Sequence, residues 1–333
     1  SRALANGKIF KLMQFKLKKI KSDASFREFF RLYKGKKTSI IITAKKERFK
    51  NLIVYTSINK FLIKRGIFTP KLISSHFKEG IIEIEDLGKD KLLDHIRVSK
   101  NKFFYYKKCV DLILKLQKIT PPKKIKIESK KYLNFSKYNI SELHKESDLF
   151  FDWYLYGVLG KKKSKKFKLK IKRELNKIYK KIIFKNNFLV HRDFHVSNIM
   201  YTNKKLGLID TQDAIVGNPA YDLASLIDDV RLKVPNKIKL DTFNYYVKKS
   251  NNKNYKTISL KNDFDILSVQ RNLKILGIFF RLYLRDNKKE YLKYLPYVWT
   301  LLEKRMKNNI FNNLEKILSK AISKKLRKKR FFK

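Results

Sequence analysis

The residues from Phe188 to Asp213 constrain this chain most, because polar side chains recur there at spacings that a simple turn does not require. Asn198 follows Asp193 by five positions, and Asp210 ends the short apolar run at 206–209. A carboxylate at Asp193 can accept the proton of an attacking hydroxyl. The oxygens of Asn198 and Asp210 are ligands of the kind that Mg²⁺ prefers. We therefore predict a hairpin that presents a base and a metal site.

His191 and Arg192 stand directly before this aspartate, so the stretch has the H-R-D-x-x-x-x-N spacing of enzymes with the protein-kinase fold. A hairpin with an ordinary capping aspartate and a buried histidine would explain each residue singly, but not their joint spacing. The polar residues 202–205 supply the turn between the two arms. The pattern predicts a phosphotransferase site.

Strand-like and helical patterns occupy different parts of the chain. Runs typical of β-hairpins lie at 22–42 and 72–85, whereas apolar residues recur at helical spacing from 103–119 onward. We predict an α+β, bilobal, protein-kinase-like fold. A small β-rich N-terminal lobe, 1–87, would bind the nucleotide, and a larger, mostly helical C-terminal lobe, 88–333, would carry catalysis and substrate binding.

Further helices are predicted within the C-terminal part. One amphipathic helix is expected at 168–184, preceded by a solvated loop at the lysine run 161–163. Long helices are expected at about 262–284 and 290–326.

The start of the first hairpin carries small polar residues. Ser22 and Ser25 would let backbone N–H groups approach phosphates, although a plain turn explains them equally well. The segment 86–88 is typical of a hinge, whose backbone would meet an adenine edge. This interpretation places Glu85 and Leu87 beside the nucleotide.

A strand lysine of the V-A-I-K type, which pairs with the phosphates in protein kinases, is not visible. Two residues, Arg27 and Lys45, could supply that positive charge. The sequence leaves both open, and with them a catalytically weakened relative.

The formal net charge of +52 is extreme, and such a charge usually indicates nucleic acid or an anionic membrane as partner. The basic residues are, however, mostly lysines spread along the whole chain, whereas readers of nucleic acid favour arginine. Enrichment in Lys, Ile, Asn, Phe and Tyr fits an AT-rich coding sequence more simply. We expect nonspecific polyanion binding and no specific nucleic-acid partner.

A single cysteine, Cys109, excludes an internal disulfide and a cysteine-based zinc site. No apolar run approaches the 18 residues typical of a membrane span, and the start lacks the apolar core of a signal peptide. We therefore expect a cytoplasmic protein without a membrane span.

The segment that follows the hairpin limits the substrate. Pro219 suits the first turn of a helix and comes only nine positions after Asp210. This spacing leaves no room for the long segment on which a protein kinase docks a peptide, so the substrate should be a small molecule. Asp222 is expected to anchor the catalytic loop by accepting backbone N–H bonds.

Several stretches resemble the aminoglycoside phosphotransferase superfamily, and within it the kinases that act on the anomeric position of N-acetylmuramate and N-acetylglucosamine. They span nearly the whole chain in the expected order: SDASFREFFRL (22–32), IEIEDLG (82–88), DLFFDWYL (148–155), HRDFHVSNIM (191–200), LIDTQDAIVGNPAYDLASLIDDVR (208–231) and QRNLKILGIFFRLYLRD (270–286).

The resemblance implies Mg²⁺-dependent transfer of the ATP γ-phosphate to a sugar hydroxyl, with Asp193 as base and both Asn198 and Asp210 on the metal. It places Gln212 and Asp213 on the acceptor side of the cleft. Trp153, in the DLFFDWYL stretch, is a further candidate for substrate binding. Thr211 departs from the group, which usually has an aromatic residue there.

Three functions remain at this point. The first is a sugar kinase of the anomeric type, an enzyme of peptidoglycan recycling. The second is a kinase of aminoglycosides or of choline or ethanolamine, which is disfavoured because a cationic acceptor wants an acidic cleft and the chain has only 29 Asp and Glu. The third is a catalytically weak pseudokinase that binds polyanions.

Overall fold

The structure is a computed structural model, and it describes residues 15–20, 26–45, 50–127, 131–256 and 258–329. The chain divides into two compact units. The first comprises 1–98, 122–135 and 197–214, and the second comprises 99–121, 136–196 and 215–333. This division differs from the predicted lobes, 1–87 and 88–333, because it groups 88–98, 122–135 and 197–214 with the N-terminal residues. The two lobes stay a prediction.

An antiparallel sheet of five strands forms the first unit, in the spatial order β1-β2-β3-β5-β4. Gly35 and Gly80 stand at the two hairpin turns with φ of 59° and 70°, a backbone conformation that glycine adopts without strain. Both predicted hairpins are therefore confirmed. The strands are β1 (Lys16–Ile20), β2 (Glu28–Lys34), β3 (Lys37–Thr43), β4 (Leu72–His76) and β5 (Ile81–Glu85).

The core of the first unit lies between this sheet and helix α1 (Lys50–Ile63), because both turn apolar residues toward each other. Ile42, Ile82 and Ile84 of the sheet are buried with Leu52 and Tyr55 of the helix. This unit also contains α2 (Leu92–Val98) and two short hairpins, β6 (Lys124–Lys126) with β7 (Tyr132–Asn134) and β9 (Ile199–Thr202) with β10 (Lys205–Leu208).

The second unit is mostly helical, as its apolar periodicity predicts. Besides the helices it holds the strands β8 (Phe188–Val190) and β11 (Ile215–Gly217), which pair with each other. Its helices are α3 (Lys102–Gln117), α4 (Ile140–Leu149), α5 (Tyr156–Tyr179), α6 (Ala220–Ile227), α7 (Asn236–Ser250), α8 (Ile258–Asp286), α9 (Leu295–Arg305), α10 (Asn312–Ala321) and α11 (Lys324–Arg327).

Helix α8 is the central element of the second unit, since most of its side chains are buried. Where α8 passes the end of α4, the chain from Phe150 to Leu155 forms a turn of π-helix. A Cβ on Gly277 would lie 2.3 Å from the Leu149 carbonyl oxygen and 2.6 Å from the Phe150 nitrogen. Glycine is required there because the two backbones are in direct contact.

Two expectations about the helices are wrong. The lysine run 161–163 lies inside helix α5 rather than in a loop, and only Gly160, with φ of 74°, departs from helical geometry. The long helix expected at 290–326 is interrupted. Helix α9 ends at Arg305, and a new turn begins where the Asn308 side chain accepts the Ile310 N–H.

Across the parts of the chain that the structure describes, every helix is too short or too polar to span a lipid bilayer.

The Gly277→Ala variant should lower the free energy of unfolding, because the added methyl group meets backbone atoms that cannot move aside. Overpacking of this kind costs about 1–3 kcal/mol, which outweighs the gain in helix propensity. Denaturant unfolding of the variant and of Leu284→Ala, an exposed position on the same helix, measures the difference. Equal stability of the glycine variant and the unsubstituted protein would contradict this account.

Candidate active site

The hairpin of β9 and β10 brings Asn198 and Asp210 to the same end. Ile199 pairs with Leu208 in the ladder, and the Ile209 N–H extends it by donating to the Asn198 carbonyl at 3.1 Å. Asp210 comes next, with φ of 59°, an uncommon left-handed conformation for a residue with a side chain. Strain at such a position persists only where the surroundings hold it.

The donor set of this hairpin end fits Mg²⁺. That ion is usually held by one or two carboxylates, together with phosphate oxygens and water. One carboxylate and one amide oxygen, from Asp210 and Asn198, match this requirement. Within the described residues no group of three or more His, Cys, Asp or Glu could hold a metal.

Arg27 lies at the centre of the first unit's polar cluster. Its guanidinium is buried and donates to Asp210 Oδ1 at 2.7 Å and to Gln212 Oε1 at 3.2 Å. The rings of Phe29 and Tyr55 lie within 6 Å of it on the sheet and helix sides, at 5.4 and 5.6 Å. The structure therefore joins three residues singled out in the sequence, namely Arg27, Asp210 and Gln212.

The segment after Asp210 is tied to helix α1 through a polar contact that the sequence did not reveal. The Thr211 hydroxyl donates to the Asn59 side chain, and both residues are buried. Thr211 thus links this segment to helix α1 by a buried hydrogen bond. Asp213 is exposed and accepts from the neighbouring Gln212 side chain at 3.3 Å.

The other predicted nucleotide residues lie around the same sheet. Lys45 is exposed beyond the end of β3. Glu85 accepts the Lys71 N–H at 3.3 Å, and Leu87 is buried, with its carbonyl accepting from the Thr202 hydroxyl. The roles of these residues stay predictions. Ser22 and Ser25 lie outside the described residues.

In the second unit, Asp222 anchors the catalytic loop as predicted. Its carboxylate accepts the N–H of His191 at 2.7 Å and that of Arg192 at 3.0 Å. Burial raises the pKa of Asp222 to about 6, against the opposing effect of His191 and these N–H groups. Arg192 has φ of 73°, so the paired N–H bonds hold a strained residue directly before Asp193.

The Arg192 side chain is held by a buried acid that the sequence analysis did not identify. Its Nε donates to Glu146 at 2.9 Å, and Lys274 of helix α8 donates to the same oxygen at 2.7 Å. Burial alone would raise the pKa of Glu146, but the charges of Lys274 and Arg192 lower it to about 2. No local spacing could have shown this, since the three residues are far apart in sequence.

Asp193 is half-exposed and is flanked by basic side chains. Arg271 Nη2 lies 3.4 Å from its Oδ1, and His195 Nε2 lies 3.3 Å from its Oδ2. Burial opposes ionisation of Asp193, but the charges of His195, Arg231 and Arg271 outweigh it and hold the pKa well below its usual range. The carboxylate is therefore ionised at neutral pH.

Trp153 lies in the π-helical turn of the second unit and is half-buried. Its contact with an acceptor stays a prediction.

Residues 105–249 match the sequence profile of the phosphotransferase enzyme family, APH. The chain is 27% identical over 286 residues to an N-acetylmuramate/N-acetylglucosamine kinase of Pseudomonas aeruginosa, covering 85% of this chain and 81% of that protein. A protein of the same name from Neisseria meningitidis is 24% identical over 279 residues, with coverages of 83% and 81%.

Solved structures show the same fold. An ADP-bound aminoglycoside phosphotransferase aligns with a TM-score of 0.60 at 15% identity, over 90% of this chain and 96% of that chain. A choline/ethanolamine kinase family protein from Mesorhizobium loti aligns with a TM-score of 0.63 at 12% identity, over 95% and 97%. The predicted α+β, kinase-like fold class is confirmed. At these identities the likeness shows the fold alone.

The Asp222→Asn variant should unfold more easily, because the amide offers one acceptor oxygen to two backbone N–H donors. Leaving a buried donor without a partner costs about 1–3 kcal/mol. Thermal or denaturant unfolding measures the loss, with Asp152→Asn as the matched change at an exposed aspartate of the same unit. If both variants were as stable as the unsubstituted protein, Asp222 would not be the anchor.

Proposed function

From the phosphotransferase-family domain at 105–249, we propose that this chain is an ATP-dependent kinase that phosphorylates the anomeric hydroxyl of an amino sugar. The reaction class, phosphoryl transfer to a hydroxyl acceptor, follows from the family and from the kinase relatives. N-acetylmuramate and N-acetylglucosamine are the proposed acceptors, in the recycling of peptidoglycan, because the relatives are named for these two sugars.

The basic side chains around Asp193, with Arg271 and Arg231 permanently charged, are the observation that carries the choice of acceptor. A hydroxyl that approaches this carboxylate also approaches Arg271, His195 and Arg231. Aminoglycosides and choline are themselves positively charged, so this surrounding would repel them. A neutral or anionic sugar meets no such penalty, and the carboxylate of N-acetylmuramate is attracted. This contrast favours the sugar kinase over the aminoglycoside or choline kinase.

Asp193 performs the chemistry expected of a base that also positions its substrate. Its ionised carboxylate would accept the proton of the acceptor hydroxyl, and the Asp222 anchor fixes the loop that carries it. Phosphoryl transfer gives a protein little covalent work, so the rate comes from positioning and from stabilisation of charge. Asn198 and Asp210 would hold Mg²⁺, which neutralises charge on the transferred group when bound.

The remaining roles extend this proposal. Gln212, Asp213 and Trp153 would contact the acceptor, and the backbone beside Glu85 and Leu87 would meet the adenine. The phosphates would be held by Ser22, Ser25, Arg27 and Lys45. The proposed partner is a small molecule in the cytoplasm, and the scattered lysines would bind polyanions only nonspecifically.

A panel of acceptors tests the proposed function. The purified chain is incubated with ATP, Mg²⁺ and, in turn, N-acetylmuramate, N-acetylglucosamine, an aminoglycoside and choline, and ADP release is followed. We expect turnover with the two sugars, and phosphorus NMR of the product should locate the phosphate on the anomeric oxygen. Turnover only with a cationic acceptor would select the runner-up, and none with any acceptor would select the pseudokinase.

The Asp193→Asn variant should lower kcat by about 10²–10⁴-fold, the usual contribution of a general base. The side chain keeps its shape but loses the charge that takes the proton. ATP affinity and melting temperature should change little. A variant that keeps most of its kcat but melts at a lower temperature would show that Asp193 only supports the loop.

The Arg271→Gln variant should move the acid limb of kcat to higher pH. Asp193 works as the carboxylate, so activity is present above its pKa and lost as pH falls through it. Removing one of the three cations that lower this pKa brings it back toward the usual value of about 3.9. His195 and Arg231 remain and keep part of the shift.

Profiles of kcat against pH measure this effect. Arg285→Gln is the control, because it removes the same charge from an exposed position of helix α8. A change in acceptor KM with an unmoved acid limb would mean that Arg271 binds the acceptor instead of tuning Asp193.

A further inference from the structure

Arg27 donates to the carboxylate of Asp210, which is a metal ligand in the proposed function. The bond from its Nη2 to Asp210 Oδ1 is 2.7 Å long, and the Arg27 side chain is only 5% exposed. Gln212 accepts from the other arm of the guanidinium at 3.2 Å. The guanidinium thus makes a charged, two-armed contact, which is more enclosed than the exposed Lys19–Glu28 pair of the same sheet.

Strand β3 and the described part of helix α1 do not supply a lysine–acid pair for this task. Strand β3 carries a lysine only at its first position, Lys37, and the described helix α1 contains no Asp or Glu. A lysine of the strand paired to an acid of the helix is therefore absent from these two elements. Helix α1 contributes Tyr55 instead, whose ring lies beside the Arg27 guanidinium.

The contact has an electrostatic consequence once a divalent cation is considered. A carboxylate oxygen that takes Mg²⁺ at about 2.1 Å cannot keep the guanidinium at full strength, because the two cations repel each other at close range. A buried arginine that loses its acid is costly unless another anion replaces it. The phosphates of the nucleotide are the anion that arrives with the metal.

We propose that Arg27 is the principal phosphate-binding cation of this enzyme, and that it exchanges Asp210 for the nucleotide phosphates when metal and nucleotide bind. The inference rests on the proposed function and assigns the phosphate role that the sequence leaves open between Arg27 and Lys45. Without nucleotide, Arg27 competes with the metal for Asp210. With nucleotide, the competition is relieved, so each ligand strengthens the binding of the other.

The exchange predicts a thermodynamic coupling, which must be the same whichever ligand binds first. In the unsubstituted protein, Mg²⁺ should raise the affinity for a non-hydrolysable ATP analogue by about 5–150-fold, the usual range of such couplings. In Arg27→Gln, the analogue should bind more weakly. Mn²⁺ alone should bind more tightly, since Asp210 is no longer occupied, and the coupling should fall toward one.

Calorimetry with the ATP analogue and electron paramagnetic resonance of free Mn²⁺ measure these affinities without any turnover. Lys34→Gln is the matched control, because it removes one positive charge from the same strand region by breaking a pair with Glu83. It should leave the affinities for Mn²⁺ alone and for the analogue unchanged. Arg27→Lys keeps a charge in the cluster but loses the two-armed contact, so its coupling should fall part of the way.

The outcomes separate this inference from the proposed function. If Arg27→Gln and Arg27→Lys bind Mn²⁺ and the analogue as the unsubstituted protein does, while Asp210→Ala loses metal-dependent nucleotide binding, the exchange is overturned and the kinase site survives. If the unsubstituted protein does not bind the analogue with Mg²⁺, the proposed function is overturned and the inference with it. Tighter Mn²⁺ binding with weaker nucleotide binding in Arg27→Gln supports both.

Discussion

The catalytic loop depends on one buried carboxylate. Asp222 accepts two consecutive backbone N–H groups, from His191 and Arg192, and so holds Arg192 at a φ of 73° that its side chain disfavours. The next residue is Asp193, whose direction follows from that strained backbone. Asp222 stands at the start of helix α6, buried with the rest of that helix, so a packed helix fixes the backbone that precedes Asp193.

Buried acids of the second unit are paired with basic side chains. Glu146 is matched by Arg192 and Lys274, and Asp228 is matched by Arg305, with further bonds from Lys239 and Ser268. Removing one partner from such a pair leaves an uncompensated buried charge. These few buried contacts matter for stability, although the net charge of +52 does not reveal them.

Local sequence patterns were sufficient to predict the elements that form between residues close in the chain. Turn glycines and alternating apolar residues predicted the hairpins of the sheet, and the spacing of Asp193, Asn198 and Asp210 predicted a hairpin that the β9–β10 ladder confirms. Local patterns failed where one residue decides the geometry. A lysine run was expected in a loop, yet it lies in helix α5. Only Gly160, directly before the run, departs from helical geometry.

The sequence by itself determined the fold class and the reaction class, because hydrophobic periodicity and the spacing of ligand residues are properties of the chain. Only the tertiary structure decided which distant residues contact the predicted site residues. Arg27 reaches Asp210 across 183 positions, and Arg271 reaches Asp193 across 78. Such contacts follow from the packing of a sheet and of helix α8, and no local pattern encodes them. The electrostatic surroundings of Asp193 therefore depend on the fold.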